Sequence, residues 1–231
     1  MSRNEKYCDV LQRLKEERVR NNWTQEVLCN QLLVTQSHYS KMEQGKKRFS
    51  YKELQRLNET GIDLYYVFTG HRVENQDDDN FLENCEMREQ FFALELLYAI
   101  TKYYSSLNHI NQNKFCEECI EYKRYLMSGS KSRNLWRLVR DYHGYTQRQM
   151  AVILEMDVKT YRSLENQENH PDSEIVFAMY KHFDVPLWIM LENNAGIVQE
   201  TYRILGIFDQ QDRRKVFEYL ESGVKQIMRE E

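Results

Sequence analysis

The sequence predicts an all-α protein made of two tandem five-helix domains, a helical hairpin between them and a C-terminal helical extension. Only 2 Pro and 8 Gly occur in 231 residues, so few turns require a fixed or positive φ. Apolar residues recur at helical spacing, and the pattern of residues 24–45 is repeated at an offset of 122. Since 41% of the residues are apolar, one to two domains with ample cores are expected.

The first helix is predicted over residues 7–20. Its apolar residues recur three and four positions apart and therefore share one face of an α-helix. The residues on this face, one of them an arginine, are Tyr7, Val10, Leu11, Leu14 and Arg18.

Residues 24–45 predict two short helices joined by a tight turn. Thr24 and Thr35 are N-caps, because each hydroxyl can accept a hydrogen bond from a free amide of the helical turn that follows. Tyr39 and Met42 then point inward at the spacing of one helix face. The outer face of the second helix is polar and consists of Gln36, Ser37, His38, Ser40 and Lys41.

This pattern resembles the helix-turn-helix of the Cro and lambda-repressor-like family, also called the xenobiotic-response-element family. One position departs from it: the family usually has Gly where Leu33 stands, so the turn is expected to be reshaped or mildly strained. A unit that survives only as a scaffold is the alternative. The matching residues are Thr24, Gln25, Val34, Ser40, Glu43 and Gly45.

The resemblance implies double-stranded DNA as the partner. It places the second helix in the major groove, with Gln25 on a phosphate and bracing Gln36 against a base. It also pairs Arg18 with Glu43, which orients the first helix against the end of the recognition helix. With the basic loop described next, the expected DNA-binding residues are Gln25, Thr35, Gln36, Ser37, His38, Ser40, Lys41, Gln44, Lys46, Lys47 and Arg48.

The basic run 46–48 stands directly before a predicted fourth helix, which Ser50 and Glu53 begin with a capping box. Lysine and arginine side chains and the amides of a helix N-terminus both favour phosphate, so this loop is expected on the DNA backbone. A short fifth helix that closes near Gly70 completes the first domain, residues 1–73.

Residues 74–132 predict an acidic linker and a helical hairpin. The linker is residues 74–80, ENQDDDN, and apolar residues from 81 to about 107 indicate a long helix. A second helix over residues 114–126 is expected to return against it. Such a hairpin packs onto the neighbouring domains or provides a dimer surface, and both readings stay open.

Residues 133–194 predict a second domain of the same fold. Thr146, Gln147, Tyr161 and Glu165 repeat the residues at positions 24, 25, 39 and 43. Arg140 stands six residues before Thr146, so a second pair of Arg140 with Glu165 is expected.

The outer face of this second domain differs. Val158 and Lys159 stand where the first domain has Gln36 and Ser37. Residues 1–73 contain 13 basic and 9 acidic side chains, a net +4, whereas residues 133–192 contain 7 and 9, a net −2. Because phosphate neutralisation supplies most nonspecific DNA affinity, the first domain is the expected reader. The secondary DNA-binding candidates are Gln147, Arg148, Lys159 and Arg162.

Residues 195–231 predict two further helices, one near residues 197–205 and one over residues 209–228. The second carries an apolar stripe that needs a partner, either the second domain or a two-fold dimer contact. The stripe consists of Val216, Phe217, Leu220, Val224, Ile227 and Met228.

No catalytic or metal-binding pattern is found. The chain has no Gly-rich phosphate loop, GxSxG or HExxH, and the Cys116-x-x-Cys119 pair lacks a matching second pair. We therefore expect no enzyme activity, no cofactor and no metal. Five irregularly spaced cysteines, no export signal and no apolar run of membrane-spanning length predict reduced thiols and a cytoplasmic protein that contacts no membrane.

The sequence thus predicts a sequence-specific DNA-binding transcriptional regulator, a repressor that acts by occlusion as a homodimer on an inverted-repeat operator. The alternative is an interaction protein, such as an antitoxin or a phage-type inhibitor, in which DNA binding is secondary and the second domain binds a protein partner.

Overall fold

The computed structural model describes residues 6–70, 72, 81–108, 134–183, 185–191 and 195–227. Within these ranges the chain forms thirteen α-helices and no strand, so the described part is all-helical, as the sequence predicts. The acidic linker 74–80 and the predicted helix over residues 114–126 lie outside the described residues.

Five helices between residues 7 and 70 form what we call the first unit. Thr24 Oγ1 accepts a hydrogen bond from the Val27 amide and Thr35 Oγ1 from the His38 amide, both at 3.2 Å, so both predicted N-caps form. Ser50 begins the fourth helix with the predicted capping box. The helices are α1 (Tyr7–Arg20), α2 (Gln25–Gln31), α3 (Gln36–Glu43), α4 (Tyr51–Glu59) and α5 (Leu64–Thr69).

The core of the first unit fixes the orientation of α3. Tyr39 and Met42 are fully buried, so the opposite face of α3 must point to solvent. Arg13 donates hydrogen bonds to the carbonyls of Val67 at 2.8 Å and Phe68 at 3.2 Å, which ties α1 to the last turn of α5. The largest fully buried side chains here are Leu14, Leu28, Leu32, Tyr39, Met42, Phe49, Leu54, Leu57 and Phe68.

The turn between α2 and α3 keeps a left-handed backbone although its residue is not glycine. Leu33 has φ of 56° and its side chain is 73% exposed. Of the two outcomes expected from the sequence, the turn is therefore strained and not reshaped. An L-residue with a Cβ in this region of φ and ψ loses roughly 1–2 kcal/mol of stability.

We expect Leu33→Gly to raise the free energy of unfolding by about 1 kcal/mol. Glycine removes the steric strain and adds a smaller backbone-entropy cost of roughly 0.5–1 kcal/mol, and little buried area is lost at so exposed a side chain. Urea denaturation with an unchanged m-value would measure the gain. Asn30→Gly, on the exposed face of α2, is the control and should lower stability; an equal loss from both substitutions would contradict the strain.

Five helices between residues 135 and 191 form what we call the second unit. Its backbone has positive φ at Gly144, Glu155 and Gln167. These stand 122 residues after Asn22, Leu33 and Gly45, the first three positions of positive φ in the first unit. The helices are α7 (Leu135–Tyr142), α8 (Gln147–Ile153), α9 (Val158–Glu165), α10 (Ser173–Phe183) and α11 (Leu187–Met190).

The remaining helices, α6 (Met87–Asn108), α12 (Ala195–Leu205) and α13 (Gln210–Ile227), pack on one another. The long helix starts at Met87 and not at residue 81 as predicted, because residues 81–86 fold as turns. Gln90 donates from its side-chain amide to the carbonyls of Leu82 and Cys85, at 3.0 and 3.1 Å, and holds these turns against α6.

The described part of the α13 stripe, residues 216–224, is covered by α6 and the turn before it, whereas Met228 lies outside the described residues. Leu220 and Val224 are fully buried, and the Phe217 ring lies edge-on to Phe81 at 6.5 Å. The expectation that the stripe packs on the second unit is thus wrong, and the long apolar helix α6 supplies the partner instead. None of the described helices combines the length and apolar character that a bilayer crossing requires.

Candidate nucleic-acid interface

The outer face of α3 presents polar side chains to solvent. Gln36, Ser37, Lys41 and Gln44 are exposed, while Ser40 is partly buried and accepts a hydrogen bond from the Gln44 side-chain amide at 2.9 Å. Thr35 is exposed at the N-cap. This surface therefore offers hydrogen-bonding groups and one lysine along a single side of the helix.

A buried carboxylate at the end of α3 anchors this face from below. Glu43 accepts hydrogen bonds from Arg18 Nε at 2.8 Å, Gln25 Nε2 at 2.5 Å and Tyr39 OH at 3.1 Å. The side chains of Arg18 and Glu43 are only 9% and 5% exposed. Burial, followed by the negative charge of Glu43, raises the pKa of the Tyr39 hydroxyl, which therefore stays protonated as a donor. One acidic group thus connects α1, α2 and α3.

The same carboxylate determines how two glutamine amides point. An ionised Glu43 only accepts, so the nitrogen of Gln25 must face it and the oxygen of Gln25 must face away. That oxygen accepts from Gln36 Nε2 at 3.0 Å. Gln36 therefore uses one N–H inside the protein and keeps one N–H donor and its Oε1 acceptor for solvent or a ligand.

The basic loop divides into two parts. Lys46 and Lys47 are exposed directly before α4. Arg48 instead forms ion pairs with Asp172, at 3.1 Å, and with Glu174, both at the start of α10. Arg48 is thus paired with acidic groups of the second unit although its side chain is 57% exposed, and Lys46 and Lys47 are exposed beside it.

His38 points away from the outer face of α3. Its Nε2 lies 3.1 Å from Glu53 Oε1, at ion-pair distance but without the angle of a hydrogen bond. The side chain is partly buried between α3 and α4. A role in positioning α4 therefore fits this histidine better than contact with a ligand.

The second unit repeats the anchoring carboxylate and its glutamine, but a different side chain bonds the glutamine oxygen. Glu165 accepts from Arg140 Nε and from Gln147 Nε2, both at 2.6 Å. Burial acts to raise the pKa of Glu165, but the hydrogen bonds from Arg140 and Gln147, together with the positive charge of Arg140, act against it, and the pKa is lowered. The Gln147 oxygen accepts a hydrogen bond from Arg162 Nε at 2.9 Å. Arg162 is thus the donor to this glutamine, as Gln36 is the donor to Gln25 in the first unit.

Around this bond the outer face of α9 remains open. Val158 is partly buried, while Lys159, Arg162 and Arg148 are exposed. In the sequence, Arg162 is only one of several basic residues among the secondary DNA-binding candidates. Arg162 stands four residues after Val158, so it lies one turn further along the same face of α9. From there it can bond Gln147, which the apolar side chain of Val158 cannot do.

Residues 14–60 match the family model described as helix-turn-helix. The match covers the second half of α1 and all of α2 to α4, and so supports a lambda-repressor-like helix-turn-helix in the first unit. It does not extend to residues 135–191. No curated protein matches the chain, and no solved structure does. The matched family supports DNA binding and transcription regulation for the first unit.

Proposed function

We propose that this protein is a sequence-specific transcriptional repressor whose helix α3 enters the major groove and excludes other proteins from the site. The observation that carries the proposal is the chain of side chains from Glu43 through Gln25 to Gln36. It fixes the Gln36 amide on an exposed face and leaves one donor and one acceptor. Adenine alone offers the matching acceptor and donor, N7 and N6, in the major groove.

Phosphate contacts would come from the loop and helix start beside α3. Lys46 and Lys47 are exposed there, and Lys41 lies on the outer face of α3. Such contacts position a protein on the duplex without reading its sequence, and they supply most of the nonspecific affinity. The first unit therefore combines a positioning surface with a reading surface.

We expect Gln36→Ala to relax base preference at one position of each site that α3 reads. The wild-type protein should prefer an A·T pair there by roughly 1–3 kcal/mol, and the variant should lose most of that preference. Gln25→Ala should lower both affinity and preference, because it removes the brace and the expected phosphate contact. A binding series with all four base pairs at each position measures both effects.

Val158→Ala is the control for this series, since it changes the equivalent position of α9 and removes no hydrogen bond. It should leave the base profile of the first site unchanged. If Gln36→Ala also leaves the profile unchanged, α3 does not read DNA through this amide.

We also propose that the second unit is a second, altered copy of the same domain. The positive-φ residues at an offset of 122 and the repeated Arg-Gln-Glu cluster support this. An inverted-repeat operator needs two recognition helices, which a second chain would supply in the homodimer expected from the sequence. With one chain carrying two units, the second helix is also available without a partner chain.

The interaction-protein alternative is favoured by the surface of α9, which has lost the Gln36 equivalent and belongs to a unit of net negative charge. Protein capture with and without nuclease treatment separates the two functions. Partners that survive nuclease would support an antitoxin-like or inhibitor role, whereas loss of all captured material would support the regulator.

A further inference from the structure

We propose that the two units pair within one chain as an approximate two-fold dimer, so that a single molecule reads two unlike half-sites. This inference rests on the proposed function. In a two-fold pair, residue i of one copy contacts residue j of the other, and residue j in turn contacts residue i. Tandem domains stacked by simple translation would show no such reciprocity.

The contacts of α4 and α10 with the fifth helices are reciprocal. Gln55 and Phe177 occupy equivalent positions, 122 residues apart, and Phe68 and Leu191 occupy equivalent positions, 123 residues apart after a one-residue insertion. The Gln55 side-chain amide donates to the Leu191 carbonyl at 3.2 Å. Conversely, the ring centroids of Phe177 and Phe68 lie 6.4 Å apart. Each fourth helix therefore reaches the fifth helix of the other unit.

The segments that lead into α4 and α10, including the first residue of each helix, also contact each other in both directions. Tyr51 stacks on His170 at 4.8 Å with the rings nearly parallel. Ser173, the equivalent of Tyr51, exchanges two hydrogen bonds with Phe49: the Ser173 amide donates to the Phe49 carbonyl at 2.9 Å, and the Phe49 amide donates to Ser173 Oγ at 3.1 Å. We call residues 48–51 and 170–173 together the seam.

The centre of the seam is buried. Phe49 and Ser173 are 1% and 2% exposed, and the Tyr7 hydroxyl also bonds Ser173 Oγ. Burial raises the pKa of Tyr7 to about 12, so this hydroxyl stays protonated at physiological pH. The ion pairs of Arg48 with Asp172 and Glu174 cross the same boundary. Directional bonds of this kind hold the two units in one mutual orientation.

The pairing leaves both reading faces uncovered. Apart from Tyr7, it uses residues that follow α3 and α9 in the chain, while Gln36 and Ser37 on α3 and Lys159 and Arg162 on α9 remain exposed. A two-fold rotation preserves direction along its axis. A reading face turned toward one end of the axis in the first unit is therefore turned toward the same end in the second.

The two half-sites would differ in sequence because the braced side chains differ. In the first unit Gln25 holds Gln36, an amide that suits adenine. In the second unit the Nε of Arg162 donates to Gln147, which leaves the two terminal nitrogens of the arginine for a base. An arginine with these nitrogens free suits O6 and N7 of guanine. We thus infer an A·T pair in one half-site and a G·C pair in the other.

The test begins with duplexes selected from a random pool by the purified full-length chain. Native mass spectrometry should find one chain of 28.1 kDa per duplex. Hydroxyl-radical footprinting should show protection facing two successive major grooves, roughly 34 Å apart. Two chains per duplex, each protecting a half-site with the same A·T pair, would overturn the inference and leave the proposed function standing. If no duplex is enriched, the proposed function itself fails.

A matched pair of variants tests the second half-site. Arg162→Met should lower the preference for guanine by about 5- to 150-fold in that half-site only, without changing the A·T preference of the first. Arg137→Met removes the same charge from an exposed position of α7 and should leave both base profiles unchanged. An unchanged profile for Arg162→Met would contradict the reading of DNA by α9.

Discussion

Glu43→Ala is expected to lower the free energy of unfolding by about 3–5 kcal/mol, the range found when one partner of a buried ion pair is removed. The substitution leaves Arg18 buried and without its carboxylate, and it removes the acceptor of Gln25 and Tyr39. Chemical denaturation monitored by the far-ultraviolet helix signal measures the loss.

Two comparisons show whether the ion pair causes this loss. The double variant Arg18→Met with Glu43→Leu removes both charges at similar volume and should recover much of the stability, since buried pairs replaced by apolar residues are often neutral. Glu165→Ala removes the equivalent carboxylate in the second unit. Because the side chain of Arg140 is 17% exposed there, the loss of unfolding free energy should be smaller. A loss below about 1 kcal/mol for Glu43→Ala would mean that the pair is effectively solvated.

Glu43→Ala should also affect DNA recognition in any molecules that remain folded. Without the carboxylate, Gln25 is free to rotate, and nothing then requires its oxygen to face Gln36. The preference for an A·T pair should fall although no DNA-contacting residue has been changed. Glu43→Gln keeps the volume and should show the same loss of preference with a smaller loss of stability.

Replacement of both Lys46 and Lys47 by glutamine should weaken binding to every DNA sequence. Each lost phosphate contact lowers the magnitude of the slope of log K against log salt by about 0.9. The pair should therefore lower it by roughly 1.8 and reduce affinity by about 60-fold near 0.1 M salt. Base preference should be unchanged, because phosphate contacts carry no sequence information. Binding titrations over a series of salt concentrations give both quantities.

Arg48→Gln is the informative control for the lysines. The sequence groups Arg48 with Lys46 and Lys47, but its guanidinium is paired with Asp172 and Glu174 across the seam. Its removal should therefore change the salt slope by less than one lysine does. An equal change in slope would mean that DNA displaces the two acidic partners of Arg48.

Much of the first unit could be predicted because its signals are local. The hydroxyl caps of Thr24 and Thr35 and the capping box of Ser50 and Glu53 each act within four residues, and the structure contains all three. The start of α6 is not predicted correctly, because it depends on a side chain several residues further along the chain. Phe81 and Leu82 continue the apolar pattern of α6, but residues 81–86 are held as turns by the side chain of Gln90.

The contacts that join distant segments could not be read from periodicity. Nothing in the helical pattern of α13 distinguishes α6 from the second unit as the partner of its stripe, because both offer apolar surfaces. The pairing of Arg48 with Asp172 spans 124 residues and depends on how the two units meet. The bond from Arg162 to Gln147 depends on side-chain rotamers, which the sequence alone does not determine.

The hydrogen-bonded seam at Phe49 and Ser173 bears on how occupancy would depend on the number of protein copies in a cell. Two recognition helices in one chain have a fixed effective concentration for each other, so dilution does not separate them. Site occupancy would then rise with the first power of protein concentration, whereas a weakly associating homodimer would give a second-power dependence. A regulator of this kind would respond in proportion to gene dosage and would remain effective at very low copy number.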